Sequence, residues 1–383
     1  MQFRDLQKQY EILKDDIDRS IVSVCSGAQF ISGQQVRELE EQLASYVGVK
    51  HCITCANGTD AITLAIKAWG LGVGDAVFVP DFTFFSSGEC PAGEGCTCIF
   101  VDVDPDTYNI DPDKLDEAIK RVLSDGEINP RAVVAVDLFG QPADYGRIRG
   151  ICDKYDLLLL EDGAQGFGGS IEARRACSFG DISTTSFFPA KPLGCYGDGG
   201  AIFTDNDEWA ALLRSLAVHG KSGNDKYNNI RLGLNSRLDT LQAAILLVKF
   251  KAFCDYELKD INEVAAMYSE EFSKYRLDNG IKLPIVRDGF YSSWAQYTIQ
   301  LPEIVDRSAL QAKLKESDIP TMVYYMKPMH RQGAFENTYS AKADCPITDK
   351  LCSRVLSLPI HPYMTKENIS AVVEEICSFM LSL

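Results

Sequence analysis

The sequence predicts an α/β protein: a large domain on a mostly parallel sheet with helices on both faces, followed by a smaller α+β domain. Three observations lead there. Between His51 and Thr204, short apolar runs alternate with helical stretches, the pattern of strand–helix–strand units. These runs are apolar at nearly every position, so both faces of the sheet should be covered. After about Arg237 the alternation stops and longer helices take over. A chain of 383 residues exceeds one small core and suits a large domain plus a smaller one.

In chain order, residues 6–24 and 36–46 place apolar side chains at helical spacing. Strands are expected at 51–55, 76–80, 97–103, 132–138, 157–162, 184–188 and 201–204, because each run is short, apolar and bounded by turn residues. Residues 60–69, 113–123 and 145–155 read as the intervening helices. The second part carries helices at 238–253, 259–275, 308–317 and 366–381, and strands at 291–301 and 321–325. The domains are expected at 1–245 and 246–383, with the extreme N-terminus packing on the smaller one. No Pro-, Gly- or Ser-rich linker separates them, so close packing is expected.

Bulk properties narrow the function. The net charge is −16 and no basic tract stands out, which argues against a nucleic-acid partner. No apolar stretch nears the ~20 residues of a membrane helix, and the N-terminus has no secretory pattern. A cytoplasmic protein is expected. Thirteen cysteines, an odd number scattered through apolar segments, point to reduced thiols. Cys52 and Cys55 have C-x-x-C spacing, but in an apolar run they read as small hydrophobes, and no metal is expected.

The chemistry is concentrated in a few segments. Lys191 lies in Phe187-Phe188-Pro189-Ala190-Lys191-Pro192-Leu193-Gly194, before Gly197-Asp198-Gly199-Gly200-Ala201. Upstream, four leucines end in Glu161-Asp162. A lysine among small residues, with a carboxylate closing a buried strand, is the pair that pyridoxal 5'-phosphate (PLP) requires. The amine can condense with the cofactor aldehyde, and the carboxylate can keep the pyridine nitrogen protonated. Asp162 also falls where ligands bind in open α/β sheets, at a strand's carboxyl end; capping the next helix is its bland alternative. Asn57-Gly58-Thr59-Asp60 opens a helix after a strand, and its N–H groups can hold a phosphate. Phe84 follows another strand end and could stack on a flat ring. Gln165 could touch that ring.

Three features are discounted. Gly70, Gly72 and Gly74 precede a strand, whereas a dinucleotide fingerprint follows one. Gly220-Lys221-Ser222 has Ser215 where a phosphate loop needs its first glycine. The four histidines, His219 and His361 among them, do not pair at metal-ligand spacing and read as structural or binding residues.

Together these segments, with Asn235-Ser236-Arg237-Leu238-Asp239-Thr240-Leu241-Gln242-Ala243-Ala244, resemble the DegT/DnrJ/EryC1/StrS family of PLP-dependent nucleotide-sugar aminotransferases. The resemblance runs from Phe3 to Pro362 and implies the fold type I, aspartate-aminotransferase-like architecture in a homodimer with shared active sites. It implies that Lys191 carries the cofactor and moves protons, and that Asp162 pairs with the pyridine nitrogen. Phe84 would stack on the ring, with Gln165 nearby. Gly58, Thr59 and Ser186 would hold the phosphate, joined by Asn235 of the neighbouring subunit. Substrate contacts are expected from Arg237, Tyr324, Tyr325 and His330, with Arg231, Lys327 and Arg331 as further candidate cations for a diphosphate. Within the family the chain is most similar to the WbpE type, which transfers an amino group from L-glutamate to UDP-2-acetamido-2-deoxy-3-oxo-glucuronate. It departs from that type at Tyr324, where a histidine is usual.

Overall fold

A computed structural model describes residues 1–223, 227–275 and 280–382. Seven strands form the central sheet: β1 (His51–Cys55), β2 (Asp75–Pro80), β3 (Thr97–Val101), β4 (Asn129–Val136), β5 (Leu158–Asp162), β8 (Ile182–Ser186) and β9 (Gly200–Thr204). Their spatial order is β1-β9-β8-β5-β4-β2-β3. Only β9 is reversed, pairing antiparallel with β1 and β8, while the remaining pairs are parallel. Beside this sheet the short strand β6 (Ser170–Ile171) pairs with β7 (Arg174–Arg175) on one side and β10 (Phe290–Tyr291) on the other.

Both sheet faces are covered, and the strand sequences show why. Along β2, Val77 and Val79 join one buried cluster while Ala76 and Phe78 join another. Alternation on a pleated strand sends them to opposite faces, so a strand with two buried faces must be apolar throughout. The same geometry separates the two C-x-x-C cysteines. Cys52 packs in one cluster and Cys55 in another, so the pair cannot close on one ion.

Helices α3 (Gly58–Ala68), α4 (Ser86–Gly93) and α7 (Asp207–Leu216) contribute to one side; α5 (Pro112–Asp125) and α6 (Tyr145–Tyr155) cover the other. α7 and α4 fall outside the expected helices. α7 is fixed by Asn206, whose side chain accepts from the amides of Glu208 and Trp209, and such a cap starts a helix locally. Helices α1 (Leu6–Gly27) and α2 (Gln34–Val47) pack against α8 (Thr240–Ala252).

A second core joins α9 (Leu258–Ser273), α10 (Arg307–Glu316) and α12 (Lys366–Leu381) to a two-stranded sheet of β11 (Tyr297–Gln300) and β12 (Val355–Leu358). The long strand expected at 291–301 is two pieces, separated where Ser293 folds back to bond Gly140 and Gln165 backbone oxygens. The strand expected at 321–325 is a loop: only Met322 bridges, to Ser357, and its aromatic side chains are turned to other contacts. α11 (Pro346–Arg354) and β12 were not expected; Asp102 accepts the Ile347 and Thr348 amides and so anchors the start of α11. The N-terminus reaches this second core, with the Met1 amine donating to Asp318 O and the Ile360 amide to Phe3 O. Among the described residues no helix is long and apolar enough to cross a membrane.

Candidate active site

The site lies at the carboxyl ends of the parallel strands, where α/β sheets bind ligands. Its floor follows from register. Gly200 of β9 pairs with Cys55 of β1 on one side and Ser186 of β8 on the other. A Cβ on Gly200 would lie 2.6 Å from the Asn57 carbonyl, so only glycine lets the start of α3 settle over the sheet. A Cβ on Gly58 would lie 2.8 Å from Ser186 Cβ. Asn57 Oδ1 caps α3 by accepting from the Asp60 amide at 2.7 Å. The Gly58 and Thr59 amides, at the first helical positions, have no intrahelical acceptor. They and the Ser186 hydroxyl are the groups at the positive end of the helix that could hold an anion.

Lys191 sits in the loop joining β8 to β9. Phe187, Leu193 and Cys195 anchor this loop in the core, and the Lys191 amide donates to Phe188 O at 2.9 Å. A Cβ on Gly194 would lie 2.4 Å from the Pro189 carbonyl, so the turn requires glycine. Among the described residues the Lys191 Nζ has no hydrogen-bond or ion-pair partner. Burial pushes its pKa below the ordinary lysine value; the Asp162 charge opposes this and the Arg4 charge adds to it.

Asp162 closes β5 and is buried. Its Oδ2 accepts from Ser87 Oγ at 2.8 Å and its Oδ1 from the Ala164 amide at 3.2 Å. Burial raises its pKa, offset by the Ser87 bond and the Lys191 charge. Its neighbour Glu161 points to the other face and accepts from the amides of Cys177, Phe179 and Gly180 and from Ser183 Oγ. The two successive acids are thus divided by the pleat: one structural, one facing the site.

An aromatic wall closes the site. Phe84 is 52% exposed, an unusual position for a phenyl ring just past a buried strand. Its ring lies 6.4 Å from that of Tyr325. The Tyr325 hydroxyl accepts from Gln165 Nε2 at 3.2 Å, and Gln165 Oε1 accepts from the Phe139 amide at 2.8 Å. Gln165 is therefore fixed at both ends. Tyr324 packs edge-on against Phe3.

His330 departs from expectation. It is 8% exposed and turned onto Asp81, the residue after β2: Nδ1 lies 2.7 Å from Oδ2, and the backbone amide donates to Oδ1 at 2.8 Å. With Asp81 as partner it clasps the 324–331 loop to the loop bearing Phe84, and its Nε2 accepts from Arg331 Nε at 3.2 Å. Asn235 and Arg237 hydrogen-bond to each other, and no bond joins either to Lys191, Asp162 or Ser186. The sequence reading overlooked Ser87 and Arg4, whose Nη2 donates to Lys191 O at 3.3 Å. No local motif marks either residue.

These residues fit PLP on three counts. An amine without a partner awaits an aldehyde, a glycine-lined helix start awaits a phosphate, and a buried carboxylate awaits a cation. Comparison with known proteins agrees. Residues 11–377 match the DegT/DnrJ/EryC1/StrS aminotransferase family. The chain is 42% identical to the UDP-2-acetamido-2-deoxy-3-oxo-D-glucuronate aminotransferase of Pseudomonas aeruginosa, over 97% of this chain and 98% of that one. A DegT DnrJ EryC1 StrS aminotransferase from Brucella abortus superposes with a TM-score of 0.94 at 42% identity, covering 99% of each chain. NtdA from Bacillus subtilis, solved with bound cofactor PMP, superposes at 0.86 with 30% identity, over 96% of this chain and 82% of that one. On the strength of the ordered site and this full-length likeness, the chain belongs to the DegT/DnrJ/EryC1/StrS aminotransferase family.

Proposed function

We propose that this protein moves the amino group of L-glutamate to the keto group of a nucleotide-linked sugar, UDP-2-acetamido-2-deoxy-3-oxo-glucuronate or a close relative, for surface polysaccharide or glycoconjugate synthesis. The observation that carries the reading is the unpartnered amine of Lys191 beside the buried carboxylate of Asp162. The 42% identical Pseudomonas relative supports the choice of sugar.

When bound, PLP supplies an aldehyde for amine exchange and a ring that accepts the electrons released by deprotonation. The chain's own residues supply the rest. Lys191 would hold the cofactor and, when released, would serve as the proton-transfer group, a role that burial favours by stabilising the neutral amine. Asp162 keeps a positive charge on the ring nitrogen, steadied by Ser87. Gly58, Thr59 and Ser186 hold the phosphate. Phe84 would stack on the ring, and Gln165, held by Tyr325 and the Phe139 amide, would lie near it. Arg237, Tyr324 and Tyr325 meet the substrate, while His330 positions the loop that bears the two tyrosines.

The working unit is a homodimer in which Asn235 of a second copy completes the phosphate site. This accounts for the lack of a hydrogen bond between Asn235 and Ser186 within one chain. It also gives cover to the nearby Ile230 and Leu232, which are 54% and 91% exposed.

Borohydride reduction of the purified protein with PLP, followed by peptide mass spectrometry, should find the cofactor on Lys191; Lys191→Ala should abolish the label and amino transfer together. Label elsewhere, or none, would overturn the reading. A panel of UDP-, dTDP- and GDP-linked keto sugars, with 2-oxoglutarate measured, tests the acceptor. Turnover of a neutral 4-keto sugar but not the uronic acid would overturn the sugar assignment and leave the class intact.

A further inference from the structure

We propose that Arg4 is a positioning residue for Lys191: from a polar chamber behind the lysine its guanidinium holds the Lys191 peptide and sets a permanent positive charge beside the reactive side chain. The proposal rests on the reading of Lys191 as the cofactor-bearing lysine.

The chamber is a cavity of about 20 Å³ lined by Arg4, Gln9, Pro192, Glu257, His361 and Tyr363, among others. That space suits about one water molecule. The residues come from the N-terminal segment, the Lys191 loop, the α8–α9 junction and the segment before α12. Arg4 Nη2 donates to the carbonyl of Lys191 itself. Its Nη1 is buried without a partner, as are Gln9 Oε1, His361 Nδ1 and the amine of Lys249 nearby. So many orphaned polar atoms are costly unless a shared water or a charge compensates them.

The charges around Lys191 can be enumerated. Asp162 faces its amine from β5. Arg4 approaches from the N-terminus, with Asp5 beside His361. Lys249 lies on α8, 4.9 Å from the Tyr196 ring. Glu257 accepts from Gln9 Nε2 at 2.8 Å and from the Tyr363 hydroxyl. Arg4 is a guanidinium, which stays charged when buried. The other cationic groups yield: Lys249 falls to about 8 and His361 to about 4, burial being the main cause and the Arg4 charge a contributor in both. The Lys191 amine is driven the same way by the same pair of causes. One permanent charge thus biases three titratable neighbours toward neutrality, and it is bonded to the backbone of the reactive one.

The test uses the full-length protein stripped of cofactor. PLP is added across a pH series, trapped with borohydride, and the label on Lys191 quantified by mass spectrometry; the midpoint of that profile reports the amine. Arg4→Gln keeps a donor for the carbonyl and removes the charge, so the midpoint should rise by about one pH unit, meaning about tenfold less neutral amine below it. Arg4→Lys keeps the charge and should stay near wild type. Coincident profiles for wild type and a folded Arg4→Gln would overturn the proposal. If Arg4→Gln does not fold, Glu257→Gln serves: it unmasks the Arg4 charge, so the midpoint should fall, and an unmoved or raised midpoint overturns the idea. Wild type that takes no label on Lys191 would bring down the functional reading as well, whereas normal labelling with an indifferent Arg4 would remove this proposal alone.

Discussion

At the scale of single residues, environment decides what each ionisable group does. Asp162 and Glu161 are neighbours, yet Glu161 spends its carboxylate on four donors whereas Asp162 keeps two and faces Lys191. Asp162→Asn should therefore fold normally and lose about 100-fold or more in amino transfer, the scale of removing one preorganised electrostatic partner; steady-state 2-oxoglutarate release checks this. Lys249 is the reverse case, a buried cation whose amine has no hydrogen-bond partner. Its pKa falls from 10.5 to about 8 on folding, so keeping it protonated costs stability below pH 8, and that cost fades as pH rises from 8 to 10.5. Lys249→Met should accordingly stabilise the protein by about 1–3 kcal/mol at pH 7, with the gain shrinking above pH 8. Urea unfolding at pH 7 and pH 10 would show it; a pH-independent gain would mean packing alone is responsible. Lys191 and Asp162 stand out as candidates because each lies in an ordered local motif. Ser87 does not: a serine after a serine near a helix start carries no mark of the carboxylate 75 positions away that it serves.

At the scale of elements, the reversed strand β9 shapes the cofactor floor. It brings Gly200 between the ends of β1 and β8, and the absence of a side chain there lets α3 begin directly above. In Gly200→Ala the new methyl would meet Asn57 backbone at 2.6 Å, which cannot swing aside like a flexible side chain. The expected result is a loss of about 1–3 kcal/mol in stability and at least tenfold weaker PLP binding, read by denaturant titration and by cofactor absorbance. The sheet strands were legible because two buried faces enforce an uninterrupted apolar run. The 321–325 segment misled for an equally physical reason: its aromatic residues have strand propensity, but Tyr325 is used against Phe84 and Gln165. Propensity registers the side chain and not its partner.

At the scale of the whole molecule, the two cores are stitched together by long-range polar contacts. Arg287 pairs with Asp104 at 3.1 Å and Asp144 at 3.3 Å, and His330 clasps Asp81. The loop held by His330 packs Tyr324 and Tyr325 against the first core. The assembly we propose extends the same logic to a second chain. Sedimentation should give a dimer, and Leu232→Asp, which places a charge on a 91% exposed apolar position, should shift it toward monomer and lower PLP affinity through loss of the Asn235 contribution. A wild-type monomer with full activity would exclude the shared site.

The sequence by itself determined what depends on neighbours along the chain: the central-sheet strands and most of their helices, the glycines that tight turns demand, and the candidate lysine and carboxylate set in ordered motifs. Tertiary structure decided the partners. Arg4 meets Lys191 across 187 positions and His330 meets Asp81 across 249. Periodicity and capping act within a few residues, whereas a buried charge chooses its partner by distance in space, which only the completed packing sets.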